Sequence, residues 1–260
     1  MRSYKPTLVQ TRRFMSHFGV SPTQCSQLWI LLKVPENGRF KHLLWALLKL
    51  KVYATEEVLS GMAGCDEKTF RKWSDQFITA LALLSTRLIK WNSRTKSGIH
   101  TFSVDGTDCP INEPSPFSPK WYSHKFRSAG LRYEIAVSLF DSEMIWINGP
   151  FPCGEFPDSK IFRRNLAGQL SKGEKGIADQ GYRSISQLTI KNRGHQKGKL
   201  ILIGKALARH ENVNQRIKRF GCLRQQFRHE LKRHVYYFRA VASVVQLRLK
   251  TDNPINSLPK

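Results

Sequence analysis

Two aspartates directly follow an apolar, β-branched run at the point where the sequence changes character. The run Phe102–Val104 leads into Asp105 and Asp108 in the stretch FSVDGTDCPI. Before Ile99 the apolar residues follow helical spacing, whereas after it β-branched and aromatic runs alternate with a helical segment. This order predicts an α/β layer structure preceded by an all-helical region. Aspartate and glycine at this position suit either a turn or a carboxylate site that holds a metal ion.

The charge is distributed very unevenly along the chain. Of 260 residues with a net charge of +24, residues 1–100 carry 16 basic and 6 acidic side chains. Residues 101–182 carry 9 basic and 10 acidic ones, and residues 183–260 carry 18 and 3. Two basic segments that flank a carboxylate-bearing centre favour a polyanionic partner, most simply nucleic acid. A general solubility charge is the alternative.

The composition excludes several other classes of protein. A hydrophobic content of 40% is sufficient for a core, and no run approaches 18 uncharged apolar residues, so we expect no membrane span. The N-terminus lacks the pattern of a secretory signal. The five cysteines form no CxxC pair, which indicates reduced thiols rather than a zinc finger or a disulfide framework. We therefore expect a soluble, intracellular protein.

Residues 55–77, TEEVLSGMAGCDEKTFRKWSDQF, match a helix-turn-helix. The first helix is predicted from Thr55 to Met62, with a turn at Ala63–Cys65 that requires Gly64, and Asp66 caps the second helix. The second helix would present four side chains to DNA: Lys68, Thr69, Arg71 and Lys72. A helical hairpin with a solvated charged face is the alternative.

Asp105 and Asp179 stand in similar contexts. Each follows an apolar run that is typical of a strand, and glycine follows closely, in SVDGT and IADQG. Parallel neighbours in an open sheet bring such positions to the same edge. Glu211 is the only acidic residue between Arg183 and His229. It could form surface ion pairs, or it could join the two aspartates around hard cations.

Several cations near these acids are candidates for contact with phosphates. In the predicted helix Ala206–His229, Lys218 lies seven residues after Glu211 and returns to the same face, and Arg219 follows it. Lys125 lies next to a hairpin turn predicted at Ser128–Gly130. Solvated charge is an equally good interpretation of Lys125.

Five segments in order resemble transposases of the PIF/Harbinger type. They are VDGTDCPI, WYSHKF with SAGLRYE, GPFPCGEFPDSKIFR, ADQGY and RHENVNQRIKRFGCLRQQFRH, and the resemblance covers residues 40–245. It implies an RNase H-like core, a mixed sheet with flanking helices, at residues 96–250. A helical DNA-binding region at 1–95 would precede this core, and a frayed tail at 251–260 would follow it.

The resemblance also implies roles for individual residues. Asp105, Asp179 and Glu211 match the catalytic and metal-binding Asp, Asp and Glu, and the last two are 32 residues apart. Asp158 matches a further aspartate of the family, although its context EFPDS departs from the GSxHD-like pattern. We assign it a supporting role. Asp108 is then a turn residue or another supporting residue.

The function implied by the resemblance is DNA transposition. Two Mg²⁺ or Mn²⁺ ions would support cleavage and strand transfer by phosphoryl transfer at transposon ends. Implied partners are the double-stranded DNA of the ends and target, further copies of the chain and a separate DNA-binding protein, in the nucleus if the host is eukaryotic. The alternatives are a domesticated, catalytically inactive DNA-binding protein derived from a transposase, and an RNA-binding or structural protein.

Overall fold

Helices and strands follow the order that the sequence predicts. A computed structural model describes residues 7–192, 194–251, 254–256 and 258. The helices in these ranges are α1 Leu8–Phe18, α2 Pro22–Leu31, α3 Phe40–Lys51, α4 Glu56–Ala63, α5 Glu67–Leu88, α6 Asp158–Arg164, α7 Lys197–Lys218, α8 Gly221–Arg224 and α9 His234–Lys250. The strands are β1 His100–Pro110, β2 Tyr122–Ser123, β3 Ser128–Ser138, β4 Met144–Pro152, β5 Lys175–Ala178 and β6 Leu188–Thr189.

The strands form one mixed sheet with β1 near its centre. β1 is antiparallel to β3 on one side and parallel to β5 on the other. β3 also pairs antiparallel with β2 and β4, and β6 continues the sheet parallel to β5. Helices α6, α7 and α9 contact strands of this sheet. The prediction of an α/β protein with a mixed sheet and flanking helices is therefore confirmed.

The segment predicted as a helix-turn-helix forms two helices with the expected local signals. Thr55 caps α4 and accepts a hydrogen bond from the amide of Val58. Gly64 ends α4 in the left-handed conformation, with φ of +67°, which glycine adopts without strain. Asp66 then caps α5 by accepting from the amide of Thr69 at 2.9 Å. α5 extends to Leu88, beyond the segment 55–77, and both the helix-turn-helix assignment and its contact with DNA stay predictions.

The hairpin before β3 turns earlier than predicted. Ala129 and Gly130 belong to β3, where they pair with Tyr122 and Pro110. The turn therefore lies at residues 124–127, and Arg127 takes a positive φ of 57° there. Because β3 stays paired along this whole length, β1 continues to Pro110 instead of ending near Asp105.

Helix α7 begins nine residues earlier than the predicted start at Ala206 and ends sooner. Residues 197–205, which precede the predicted helix, form its first turns, because Ile203 and Ala206 pack in a small apolar cluster with Ile177. The predicted continuation to His229 is broken after Lys218, and the short α8 follows. A Cβ at Gly221 would lie 2.8 Å from the Val52 carbonyl oxygen, so this close approach of two chain segments requires glycine.

The N-terminal helices and the sheet share one hydrophobic core. Leu81 of α5, Ile135 of β3 and Val241 of α9 are fully buried members of the same cluster. Polar bonds reinforce it, since Ser243 Oγ donates to the Leu81 carbonyl at 2.7 Å. Gln246 Nε2 donates to the Leu88 and Met144 carbonyls at 3.2 and 3.1 Å. The domain boundary at residues 95–96 stays a prediction.

The end of the chain is described only in part. Of the predicted frayed tail, residues 252, 253, 257, 259 and 260 lie outside the described residues. Ile255 and Leu258 are buried, and their amides donate to Ser142 Oγ at 2.7 Å and to the Leu139 carbonyl at 3.0 Å. No helix in the described ranges has the length and apolar character needed to cross a membrane.

Candidate active site

Asp105 and Asp179 lie next to each other across two parallel strands. Val104 of β1 and Ala178 of β5 are partners in the register, and each aspartate is the next residue in its strand direction. β5 ends at this point, and Asp179 Oδ1 accepts a hydrogen bond from the Gly181 amide at 2.9 Å. The expected strand end is thus present at Asp179. Asp105, in contrast, lies within β1, so its expected position at a strand end is wrong.

A third carboxylate, Asp158, lies against Gly106, the residue after Asp105, and near Asp179. Asp158 is the first residue of α6, and its position depends on two glycines. A Cβ at Gly106 would lie only 1.8 Å from Asp158 Oδ1. A Cβ at Gly181 would lie 3.3 Å from Asp158 Oδ2 and 3.1 Å from Asp179 Oδ1. Both glycines therefore leave the space that this carboxylate occupies.

Two of these acids, Asp105 and Asp158, have raised pKa values. Burial raises the pKa of Asp105 to about 7, Lys125 opposes this rise, and the negative charges of Asp179 and Asp158 add to it. Burial also raises the pKa of Asp158, with Arg132 and Lys125 acting in the opposite direction. Carboxyl groups that are buried close together favour their protonated forms unless a cation compensates the charge.

Asp108 has a different environment from the one that the sequence predicts. It belongs to β1 and is 2% exposed, so its assignment to a turn is wrong. Arg132 Nε and Nη2 donate to its two oxygens at 2.7 and 2.9 Å, and Ser123 Oγ donates at 2.7 Å. Arg132 Nε also lies 3.5 Å from Asp158 Oδ1. Arg132 therefore connects Asp108 to Asp158, and a supporting role for Asp108 stays a prediction.

Glu211 lies on the opposite wall of a pocket of about 380 Å³ that Asp105 also lines. One face of α7 forms this wall, with residues at the helical spacing i, i+3, i+4 and i+7: Glu211, Asn214, Gln215 and Lys218. The Glu211 side chain is exposed, and Gln215 Nε2 donates to it at 3.4 Å. The structure thus brings Glu211 to the pocket of Asp105, whereas Asp179 and Asp158 are not among the residues that line this pocket.

Two of the predicted phosphate-binding cations line the same pocket. Lys125 is exposed and donates to the Gly106 carbonyl at 3.1 Å. Lys218 is half-buried and donates to the Asp108 carbonyl. Arg219 is exposed at the end of α7, and its carbonyl accepts from Lys51.

The cations of α5 belong to a different surface. Lys68, Arg71 and Lys72 are exposed, whereas Thr69 is half-buried. Arg71 Nε donates to Glu56 at 2.5 Å. None of these four residues lines the pocket at Asp105.

Three polar residues near the site were missed by the sequence analysis. Arg132 joins Asp108 and Asp158, and Asn214 Nδ2 donates to Asp105 Oδ2 at 3.0 Å. Glu134 is 1% exposed, and burial raises its pKa to about 8 although Trp146 Nε1 donates to it. Only Asn214 left a usable signal in the sequence, because it lies three residues after Glu211 and hence on the same face of a helix.

The donor set fits a hard divalent cation. Mg²⁺ and Mn²⁺ prefer carboxylate oxygens, and Asp158 Oδ1 is buried with no hydrogen-bond partner among the described residues. A cation near Asp105 and Asp158 would also offset the charge that raises their pKa values. In the described part of the chain, no group of three His, Cys, Asp or Glu side chains is already arranged to enclose a metal ion.

A comparison with protein families identifies the family. The model described as DDE superfamily endonuclease matches residues 104–246, a little over half of the chain. The match includes Asp105, Asp158, Asp179 and Glu211. No curated protein and no solved structure matches the chain. The resemblance to DDE transposases is thus confirmed at the level of the superfamily, while the PIF/Harbinger type stays a prediction. The chain belongs to the DDE superfamily endonucleases.

Proposed function

We propose that this protein is a metal-dependent DNA endonuclease and strand transferase that acts at transposon ends. The observation that carries the proposal is that Asp158 and Asp179 lie near enough to Asp105 to raise its pKa, while Asp105 lines a pocket with Glu211 and two lysines. Membership in the DDE endonuclease superfamily supports nuclease activity in general. The mixed sheet with flanking helices supports an RNase H-like core at residues 96–250.

Asp105, Asp179 and Glu211 are the proposed catalytic and metal-binding residues. Their oxygens would hold divalent ions, Mg²⁺ or Mn²⁺ and two in number, which would supply positive charge to an in-line phosphoryl transfer. The chain itself contributes a half-buried Asp105 and a pocket of about 380 Å³ that this residue lines. Asp158 contributes a further carboxylate, which Arg132 and two adjacent glycines place.

Cations of the chain would hold the DNA phosphates. Lys125 and Lys218 lie on the pocket wall, and Arg219 is exposed just beyond it. Exposed Lys68, Arg71 and Lys72, with Thr69 beside them, provide a second basic surface on α5. The net charge of +24 supports double-stranded DNA of the transposon ends and target as the partner. Self-association, a separate DNA-binding protein and a nuclear location belong to the same proposal.

A titration with Mn²⁺ or Mg²⁺ tests this proposal. We expect the full chain to bind the ion by calorimetry and to become more resistant to thermal unfolding. The variant Asp105→Asn/Asp179→Asn should lose both responses. The exposed pair Glu113→Gln/Glu155→Gln removes the same charge elsewhere and serves as the control, which should respond like the wild type.

Cleavage of duplex DNA is the second measurement. We expect nicking by the wild type with Mn²⁺ and none by Asp105→Asn. Full nicking by Asp105→Asn would contradict the assignment of this residue. If neither protein binds metal while both bind DNA, the catalytically inactive, domesticated DNA-binding protein becomes the better description.

A further inference from the structure

Asn214 connects the two walls of the candidate active site. It lies on α7, three residues after Glu211, and its Nδ2 donates to Asp105 Oδ2 at 3.0 Å. The other oxygen of Asp105 accepts from the Gly106 amide at 2.8 Å. Both oxygens of this carboxylate are thereby oriented, one by its own strand and one by the facing helix.

The contact belongs to a seam that fixes α7 against β1. One helical turn before Asn214, His210 Nδ1 lies 3.0 Å from Ser103 Oγ, two residues before Asp105. His210 and Asn214 are 1% and 7% exposed. Because Glu211 follows directly after His210, the same seam sets where Glu211 lies relative to Asp105.

The side chain of Asn214 is not the one that packing alone would favour. Its Oδ1 is buried and accepts no hydrogen bond among the described residues. A buried oxygen without a donor destabilises the fold, and an apolar side chain of similar size would avoid this loss. The residue type is explained by the bond that Nδ2 makes. A neutral donor orients Asp105 without adding another charge to the crowded acids.

We propose that Asn214 is a positioning residue of the metal site, which holds the Asp105 carboxylate in the orientation needed to bind a divalent cation. This inference rests on the proposed function, because the metal site that Asn214 would serve is part of that function. It gives the helix that carries Glu211 a second role in the site. Residues that donate hydrogen bonds to metal ligands in this way contribute to metal affinity as well as to activity.

Calorimetric titration of the full-length chain with Mn²⁺ alone tests the proposal. We expect Asn214→Leu and Asn214→Ala to bind the ion about 10- to 100-fold more weakly than the wild type. Asn214→Leu keeps the buried volume and removes only the polar groups, whereas Asn214→Ala also removes volume. Asn212→Ala is the matched control, because Asn212 lies on the same helix with an exposed side chain. It should bind like the wild type.

Thermal unfolding without metal separates this effect from a loss of folding. We expect Asn214→Leu to unfold at or above the wild-type temperature, because the unpaired Oδ1 is gone. Wild-type Mn²⁺ affinity in Asn214→Leu would overturn the positioning role while the proposed function stood. A wild type that does not bind Mn²⁺ would overturn both. A loss of affinity in a folded Asn214→Leu, with Asn212→Ala unchanged, supports the inference.

Discussion

Asp108 and Arg132 face each other across β1 and β3 as partners in the register and form a two-bonded ion pair. Their side chains are 0% and 11% exposed. Burial alone would raise the pKa of Asp108, but its bonds to Arg132 and Ser123 hold it below the usual range. The pair therefore stays ionised directly beside the crowded carboxylates, and Arg132 extends its charge to Asp158.

Removal of one partner should destabilise the protein strongly. Arg132→Gln leaves the Asp108 carboxylate buried without its counter-ion, so we expect a loss of about 3 to 5 kcal/mol in the free energy of unfolding. Arg132→Gln/Asp108→Asn should recover part of this loss, because no buried charge is left. Urea denaturation measures both values. If Arg132→Gln is as stable as the wild type, the ion pair of Arg132 with Asp108 does not stabilise the fold as predicted.

The stability of the metal-free protein should fall as the pH rises from about 7.5 to 8.5. Asp105 and Glu134 have pKa values of about 7 and 8 in the folded protein, against ordinary values of 3.8 and 4.5. Above pH 4.5 the unfolded chain has released these protons while the folded chain retains them. The folded state therefore loses up to about 1.4 kcal/mol per pH unit for each carboxyl that is still protonated.

Histidines restrict the pH range in which the contribution of these two carboxyl groups to stability can be measured. Burial lowers the pKa values of His210 and His234 to about 3 and that of His229 to about 4, and it also lowers those of His42 and His100. Up to about pH 7.5 the unfolded chain therefore binds protons that the folded chain does not. Thermal unfolding between about pH 7.5 and 8.5 is therefore the measurement. Glu134→Gln should flatten the decline, and the exposed control Glu113→Gln should not. An unchanged slope in Glu134→Gln would contradict the assignment.

The basic face of α5 should contribute to DNA affinity through phosphate contacts. Lys68→Ala/Lys72→Ala should weaken duplex binding and reduce the slope of log affinity against log salt by about 2. Arg71 is left intact because it already pairs with Glu56. Fluorescence anisotropy at several salt concentrations gives the slope. Lys90→Ala/Lys172→Ala removes the same charge from exposed sites outside α5. An equal slope change in both variants would argue against a dedicated surface on α5.

The sequence could predict the features that depend on neighbouring residues. Thr55, Gly64 and Asp66 are local helix signals, and the two helices that they delimit are present. Asp179 follows its strand as predicted, and its position beside Asp105 follows from the parallel pairing of β1 with β5. These patterns required no knowledge of distant contacts.

Features that depend on tertiary pairing could not be derived in this way. From the sequence alone, Asp108 resembles a turn residue. Its place within a strand becomes evident only when β3 pairs with β1 and brings Arg132, 24 residues further along, opposite it. Asp158 reaches the site because Gly106 and Gly181 leave room for it, and glycine in a sequence does not reveal which side chain fills that space. The early start of α7 likewise depends on the burial of Ile203 against the sheet.

The space above Gly106 provides the sharpest test of whether Asp158 belongs to the metal site. In Gly106→Ala the new Cβ would lie 1.8 Å from Asp158 Oδ1, so the carboxylate must leave its present position. We expect about 10- to 100-fold weaker Mn²⁺ binding by calorimetry. Gly204→Ala in α7 is the control, since no atom lies within 4 Å of its Cβ and the helix should gain about 0.5–1 kcal/mol. Unchanged Mn²⁺ affinity in a folded Gly106→Ala would remove Asp158 from the residues that hold the ion.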